Sequence, residues 1–171
     1  MPPGFTPKLL VRDSFKTILE EFGKVLFQYF PCDVLSKNII NNYWLASPLI
    51  TKLENVDFEL SEVETRKSNP KGGSLLERVE ITTHIEFNDY LKSQGSSSWK
   101  TTISRVVIKN NVKDDIFAIT NVGGGVGYFV SEKFKKTVED QKLTGIEFMP
   151  SNLRLVEWLQ GGIREKIYGK A

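Results

Sequence analysis

Apolar residues near the amino terminus recur at spacings of three and four. The run covers residues 15–29 and follows Asp13 and Ser14, which are typical helix-capping residues. This pattern predicts an amphipathic helix that ends before Pro31, because proline has no backbone N–H to donate within a helix. The residues after Pro31 predict a shorter helical piece over 34–40.

The central part of the chain is dominated by strand-like patterns. Residues 43–46 predict a buried strand, and residues 48–53 predict a short helix because a proline opens them. Alternation of apolar and acidic residues over 56–60 predicts a strand with an acidic outer face. A longer alternation over 79–87 predicts a strand that carries His84 on its polar face.

The second half of the chain predicts further strands and one clear helix. Apolar and β-branched runs over 101–108 and 116–122 are typical of strands. From Tyr128 to Pro150 the pattern predicts a short strand, a helix capped by Ser131, a turn and a final short strand. The residues after Pro150 favour one more element, either a helix or a strand.

Two stretches rich in turn residues, 67–74 and 93–98, interrupt these elements and are predicted to be flexible loops. A strand-rich middle flanked by helices predicts the α+β class, with a mostly antiparallel sheet. The chain has 171 residues, of which 40% are hydrophobic and 26% charged, which fits one ordinary globular domain over residues 1–171.

Charge and hydropathy exclude two classes of partner. The net charge is only +2, and acidic residues interrupt the lysines of the helix after Ser131, so we expect no nucleic-acid partner. No apolar stretch is long enough to span a bilayer, and the amino terminus lacks the pattern of a secretory signal. We therefore expect a cytoplasmic protein with no membrane partner, whose oligomeric state the sequence leaves open.

The sequence predicts neither a cofactor nor a metal site. Cys32 and His84 are the only cysteine and histidine, which is too few ligands for a typical zinc site, and a single cysteine has no internal disulfide partner. The glycines over 123–127 open a predicted strand, whereas nucleotide-binding loops open a helix whose amides face the phosphate. A turn or bulge explains these glycines better.

His84 offers the one hypothesis of enzymatic chemistry. In the predicted strand Glu86 lies two residues away on the same side, and a neutral imidazole beside a carboxylate can act as a general base. Asp114 is a second candidate for the carboxylate, although it lies where turn residues are expected. Because no nucleophile is placed nearby, a surface or partner-facing histidine is the better interpretation.

The second half contains three short motifs in order: Asp115-Ile116-Phe117 in a predicted strand, Phe129-Val130-Ser131-Glu132 at the start of a helix, and Leu143-Thr144-Gly145-Ile146-Glu147-Phe148 after it. In this order they resemble the carboxyl-terminal core of immunity proteins from bacterial polymorphic-toxin systems. Upstream, Trp44-Leu45-Ala46-Ser47 and Trp99 with Ser104-Arg105-Val106 also resemble segments of this group. Some relatives carry Cys-x-x-Cys motifs, which this chain lacks.

The resemblance implies a non-enzymatic immunity protein that binds a cognate bacterial toxin domain and neutralises it by occlusion. The family does not fix the contact residues, so we choose them by charge, strand face and loop placement. The alternatives are a small enzyme that uses His84 and a binding or scaffold domain of unknown partner. The predicted partner-binding residues are Asp57, Glu59, Glu62, Glu64, His84, Glu86 and Trp99.

Overall fold

A computed structural model describes residues 8–23, 26–36, 39–123, 125–160 and 162–169. Within these residues the chain forms eight strands, five α-helices and two short 3₁₀ helices, at Leu53–Asn55 and Gly95–Lys100. The strands are β1 (Leu9–Val11), β2 (Phe27–Ser36), β3 (Ile39–Pro48), β4 (Glu62–Ser68), β5 (Ser74–Val79), β6 (Thr101–Arg105), β7 (Ile116–Val122) and β8 (Gly125–Val130). The helices are α1 (Asp13–Phe22), α2 (His84–Gln94), α3 (Glu132–Asp140), α4 (Leu155–Gln160) and α5 (Ile163–Tyr168).

The chain divides into two compact units. The first comprises residues 1–51, 113–118 and 128–146, and the second comprises residues 52–112, 119–127 and 147–171. The elements form two mostly antiparallel sheets with helices, which confirms the predicted α+β class. The assignment of residues 1–171 to a single domain stays a prediction.

The first unit contains a three-stranded antiparallel sheet in the order β1-β3-β2. Its register places Leu45 of β3 opposite both Leu10 of β1 and Phe30 of β2. Helices α1 and α3 supply the core of this unit: the Phe134 ring lies 5.3 Å from that of Phe22 and 6.1 Å from that of Phe15, each edge to face.

The second unit contains β4, β5, β6 and the later residues of β7. The full order of this sheet is β5-β4-β6-β7-β8, with β4 antiparallel to both β5 and β6. A parallel pairing joins β6 to β7 at Ile103 and Val122. Phe58 and Phe87 pack within this unit at a ring distance of 5.3 Å, and both are buried.

Helix α1 ends at Phe22, and the predicted continuation of the helix is wrong at residues 27–29, which begin strand β2. The helical piece predicted over 34–40 is also wrong, because residues 34–36 end β2 and residues 39–40 begin β3. Residues 24–25 and 37–38 lie outside the described residues. The apolar spacing continues across the boundary, but pairing with β3 decides the structure of these residues. Pro31 lies in β2, which is an edge strand within the described residues, and edge strands are where sheets usually tolerate proline.

The start of α1 also differs from the prediction. The N-cap residue is Arg12, which makes no side-chain capping hydrogen bond, and Asp13 is already helical. The Asp13 carboxylate instead accepts a hydrogen bond from the indole N–H of Trp44, with a donor–acceptor distance of 2.6 Å. The carboxylate is therefore used to join α1 to β3.

Two predicted elements after β3 are wrong. Residues 48–53 do not form an α-helix, since β3 runs through Pro48 and only a 3₁₀ turn begins at Leu53. Residues 56–60 do not form a strand, because Val56 makes an isolated bridge and a turn follows it. Ser61 holds this turn: its hydroxyl donates to the Asp57 carbonyl at 2.5 Å and accepts from the Val107 N–H at 2.9 Å.

The strand predicted over 79–87 is wrong as well, because β5 ends at Val79 and α2 begins at His84. The Thr83 hydroxyl accepts a hydrogen bond from the Glu86 N–H at 3.1 Å. The Glu86 carboxylate in turn accepts from the backbone N–H of Thr82 at 2.8 Å. This reciprocal capping starts a helix and overrides the alternating pattern.

Local signals later in the chain are confirmed. Strand β7 has the predicted bounds of 116–122, residues 110–111 form a turn, and Ser131 caps α3 by accepting from the Phe134 N–H at 3.1 Å. The final strand predicted before Pro150 does not form, and two helices follow it. No helix in the described part of the chain is long and apolar enough to cross a membrane.

Candidate functional site

The acidic residues of β4 belong to an internal ion-pair network. Glu62 and Glu64 lie on one face of the strand, and the guanidinium of Arg154 contacts both carboxylates, that of Glu64 at 3.1 Å. Arg105 also approaches Glu62, with its Nε 3.3 Å from the carboxylate. The Arg154 hydrogen bond is the main cause that lowers the pKa of Glu62 below its ordinary value.

Glu157 completes this network from α4. Its carboxylate accepts from Arg105 at 2.7 Å and from the backbone N–H of Arg154 at 2.9 Å. Three carboxylates and two guanidiniums leave a net charge of one negative unit. The network joins the carboxyl-terminal segment to the sheet, so the open acidic face predicted for Glu62 and Glu64 is largely neutralised.

Three of the other predicted contact residues lie outside the strands and α-helices. The Asp57 carboxylate accepts from the Leu60 N–H at 3.3 Å and stabilises the turn after Val56. Glu59 is exposed in that turn and makes no ion pair within the described residues. Trp99 is 66% exposed in the 3₁₀ helix, with the Lys100 ammonium 5.7 Å from its ring centroid.

His84 and Glu86 do not form the predicted acid–base pair. On a helix, residues two apart point in different directions, whereas on the expected strand they would share a side. The Glu86 carboxylate is instead held by the backbone and hydroxyl of Thr82, which lowers its pKa. Asp114 belongs to the other unit. Residues 8–23, 26–36, 39–123, 125–160 and 162–169 contain no cluster of three or more acidic, His or Cys side chains suited to a metal ion.

All seven predicted contact residues lie in the second unit, but the structure distributes them over four local features. They occupy the turn after Val56, the charged face of β4, the first turn of α2 and the 3₁₀ helix at Gly95–Lys100. Arg154 joins Glu62 to Glu64. The exposed members are Glu59, Glu86 and Trp99, and the carboxylate of Glu86 is already used to cap α2.

The first unit presents a surface that the sequence prediction missed. Because residues directly opposite in a sheet share a face, Leu10, Leu45 and Phe30 form one row, and Tyr43 and Cys32 form the next. Leu10 and Phe30 are exposed by 49% and 43%, and the other three are half-buried. We call these five residues the apolar face. The sequence predicts a buried strand over residues 43–46, and these four apolar residues give no sign that one face is partly exposed.

A groove of about 530 Å³ adjoins the apolar face in the same unit. Residues 9–12 of β1 and its end line one wall, together with Ser14 and Phe15 of α1, and residues 142–146 after α3 line the other. Leu10 and Tyr43 belong to both the groove and the apolar face. Gly145 has a φ of +84°, a left-handed conformation that favours glycine, and it shapes the turn in the second wall. We call this feature the β1 groove.

The charges of the β1 groove have one sign. Arg12 and Lys142 line it, and its lining contains no Asp or Glu. The Arg12 guanidinium lies 5.4 Å from the ring centroid of Tyr43 and donates to the Tyr43 hydroxyl at 3.3 Å, so it is held beside the groove. The groove therefore combines apolar walls with positive charge.

The comparison with known protein families matches residues 1–152 to the Imm11 immunity protein family. The chain belongs to that family. This confirms the resemblance inferred from the sequence and supports an immunity role, and immunity protein families are generally non-enzymatic. No curated protein and no solved structure matches the chain.

The residues that carry the family resemblance make contacts that stabilise the fold of this Imm11 protein. The Ser131 hydroxyl donates to the Asp115 carboxylate at 2.7 Å, and the Phe117 and Phe129 rings stack 5.7 Å apart. These contacts connect the start of β7 to β8 and to α3. The family match also covers the apolar face and both walls of the β1 groove, whereas Arg154 lies outside it.

Proposed function

We propose that the protein binds a cognate toxin domain in the cytoplasm and neutralises it by occlusion, without catalysis. Membership of the Imm11 immunity protein family carries this proposal. A toxin is the partner that such a family implies in general. The proposal extends this general relation to one toxin, and to inhibition by covering the toxin's functional surface.

The seven residues chosen from the sequence remain the proposed contacts in the second unit, and their exposure ranks them. Trp99 offers the largest exposed aromatic surface in the set, and buried aromatic anchors carry much of the energy of protein interfaces. Glu59 is exposed and makes no ion pair within the described residues, so its charge is available for a basic partner. Glu62 and Glu64 are already paired with Arg154, so we place them at the rim of the interface and not at its centre.

The first experiment is co-purification from the native host with the tagged chain as bait. We expect to recover a toxin domain encoded beside the chain, and co-expression should suppress the lethality of that domain. The proposed function would be wrong if the folded chain neither bound the toxin encoded beside it nor protected cells from that toxin.

Substitutions of Trp99 and Glu59 test the proposed contacts. Trp99→Ala should raise the dissociation constant of the toxin complex about thirtyfold, because a central aromatic anchor contributes ~2 kcal/mol. Glu59→Lys should mainly lower the association rate constant, by about threefold or more at low salt, because exposed charges mainly affect how fast the two proteins meet. Calorimetry and binding kinetics measure these two effects.

Control variants place an apolar truncation and a charge reversal elsewhere on the surface. Leu159→Ala removes an exposed apolar side chain beyond the family match, and Glu139→Lys reverses an exposed charge on α3. Both controls should bind toxin as the wild-type chain does. If Trp99→Ala and Glu59→Lys match the controls, these two residues are not contacts.

A further inference from the structure

The β1 groove runs along the edge of a sheet. Strand β1 lies at one side of the order β1-β3-β2, so its outer backbone edge has no neighbouring strand in the described residues. Leu9, Leu10 and Val11 all line the groove, although successive side chains of a strand point to opposite faces. A cavity that borders three consecutive residues follows the strand edge instead of one face.

The dimensions of the groove suit a short stretch of extended chain. The three residues of β1 span ~10 Å at the usual rise of a strand. An extended segment beside them would pair its backbone with the open edge of β1, a common mode of peptide recognition. It would enlarge the sheet from three strands to four.

The chemistry of the lining selects the side chains of such a segment. A residue placed beside Leu10 would extend the row that continues through Leu45 to Phe30, so an apolar side chain fits there. Arg12 and Lys142 provide positive charge, and the lining has no carboxylate to oppose an acidic side chain. Charge complementarity therefore favours a segment that combines acidic and apolar residues.

We propose that the β1 groove binds an extended, acidic segment of the toxin domain, which adds a fourth strand to the β1-β3-β2 sheet beside β1. This inference rests on the proposed function, because the toxin supplies the segment. It adds a site in the first unit that the seven contacts chosen from the sequence do not include.

Blocking the groove tests the proposal with the co-purified toxin domain as the probe. Thr144 is exposed and lines the groove, so Thr144→Trp should fill it and raise the dissociation constant of the toxin complex about tenfold or more. Thr17→Trp is the matched control, since Thr17 is exposed on α1 and does not line the groove. The control should stay within about twofold of the wild-type chain, as surface substitutions usually do.

A charge reversal tests the acidic part of the proposed ligand. Lys142 has a φ of +53°, a conformation that aspartate tolerates, so Lys142→Asp changes the charge with little added strain. It should weaken toxin binding about tenfold at low salt, whereas Lys113→Asp, an exposed lysine of the same unit outside the groove, should change it little.

Amide hydrogen exchange of the wild-type chain gives a third measurement that needs no substitution. Toxin binding should slow exchange at those backbone amides of residues 9–11 that point away from β3, because an added strand would hydrogen-bond to the open edge. The groove proposal would be overturned if the groove variants bound the toxin as tightly as the wild-type chain. It would also be overturned if toxin binding left amide hydrogen exchange at β1 unchanged. Either result would leave the immunity role intact. Pairing of β1 with a second copy of the chain, seen as a dimer that Thr144→Trp dissociates, would also overturn it.

Failure of the proposed function has a different signature. In that case the wild-type chain itself would neither bind the toxin nor protect cells, and the toxin segment would no longer be the occupant of the groove. If the wild-type chain binds the toxin and the groove variants bind it equally tightly, only the groove proposal is wrong. Thermal melting of each variant separates a loss of binding from a loss of folding.

Discussion

At the scale of single residues, Tyr29 shows how a buried polar atom can lack a partner. Its hydroxyl is buried and has no hydrogen-bond partner within the described part of the chain. Burial is the main cause that raises the pKa of Tyr29 to about 12, and the nearby charge of Glu20 adds to it. Leaving a buried hydroxyl unpaired costs free energy that phenylalanine would not lose.

Tyr29→Phe should therefore leave the free energy of unfolding unchanged or raise it by about 1 kcal/mol. The matched control is Tyr168→Phe, since the Tyr168 hydroxyl accepts a hydrogen bond from the Phe148 N–H at 2.8 Å. That control should lower the free energy of unfolding by about 1 kcal/mol. Urea unfolding of both variants measures the difference, and a clear loss for Tyr29→Phe would mean that its hydroxyl has a partner in solution.

At the scale of elements, α3 depends on one serine. Ser131 accepts from the Phe134 N–H and donates to the Asp115 carboxylate, so it both caps the helix and joins it to the start of β7. Phe134 and Val138 then bury the inner face of α3. A local signal and a longer-range contact agree at this position.

Ser131→Ala should lower the free energy of unfolding by about 1–2 kcal/mol, since it removes both hydrogen bonds. Ser131→Thr retains a hydroxyl and should lose much less. Chemical denaturation compares the two variants. Equal stability of the alanine variant and the wild-type chain would show that backbone amides of α3 find other partners.

The same scale shows which elements the sequence could predict. Ser131 and the β-branched run of β7 carry their signals locally, and both are confirmed. The end of α1 could not be found, because apolar spacing continues into β2 and only pairing with β3 distinguishes a strand there. The start of α2 had a signal in Thr83 and Glu86, a capping pair hidden within an alternating pattern.

The candidate sites were harder to predict than the elements. The seven contacts were chosen by charge, strand face and loop placement. The choice of Glu62 and Glu64 did not account for Arg154, which is about ninety residues away from Glu62 in the sequence and pairs with both. The β1 groove joins residues 9–12 to residues 142–146, and no local pattern connects them. Sites built from distant segments depend on the tertiary fold.

At the scale of the whole molecule, stability should depend on acid pH through several carboxylates. Four carboxyl groups of the described residues have a pKa below the ordinary value of 4.5, and in each the main cause is a hydrogen bond that the carboxylate accepts. The donor is the Arg154 side chain for Glu62, the Thr82 backbone for Glu86, the Arg164 side chain for Glu147 and the Arg154 backbone for Glu157. Groups with a lowered pKa stabilise the folded state above the pKa they have when unfolded. That stabilisation is lost as the pH falls through their folded values.

The melting temperature should therefore vary little near neutral pH and decrease progressively below about pH 4.5. Glu62→Gln should make that decrease shallower, because one of the linked carboxylates no longer titrates. Glu59→Gln is the control, since Glu59 makes no ion pair within the described residues. Thermal melting across this pH range gives the comparison, and equal slopes for wild type and Glu62→Gln would contradict the assigned linkage.

The proline in β2 has a consequence for assembly. Strand β2 carries Pro31 and forms the edge opposite β1 in the order β1-β3-β2. A proline makes an edge strand a poorer template for pairing with another chain. If a toxin segment pairs with β1, as proposed above, the opposite edge of the sheet is therefore less able to accept a further strand. The proposed mode of binding would thus carry a reduced risk of aggregation through β2.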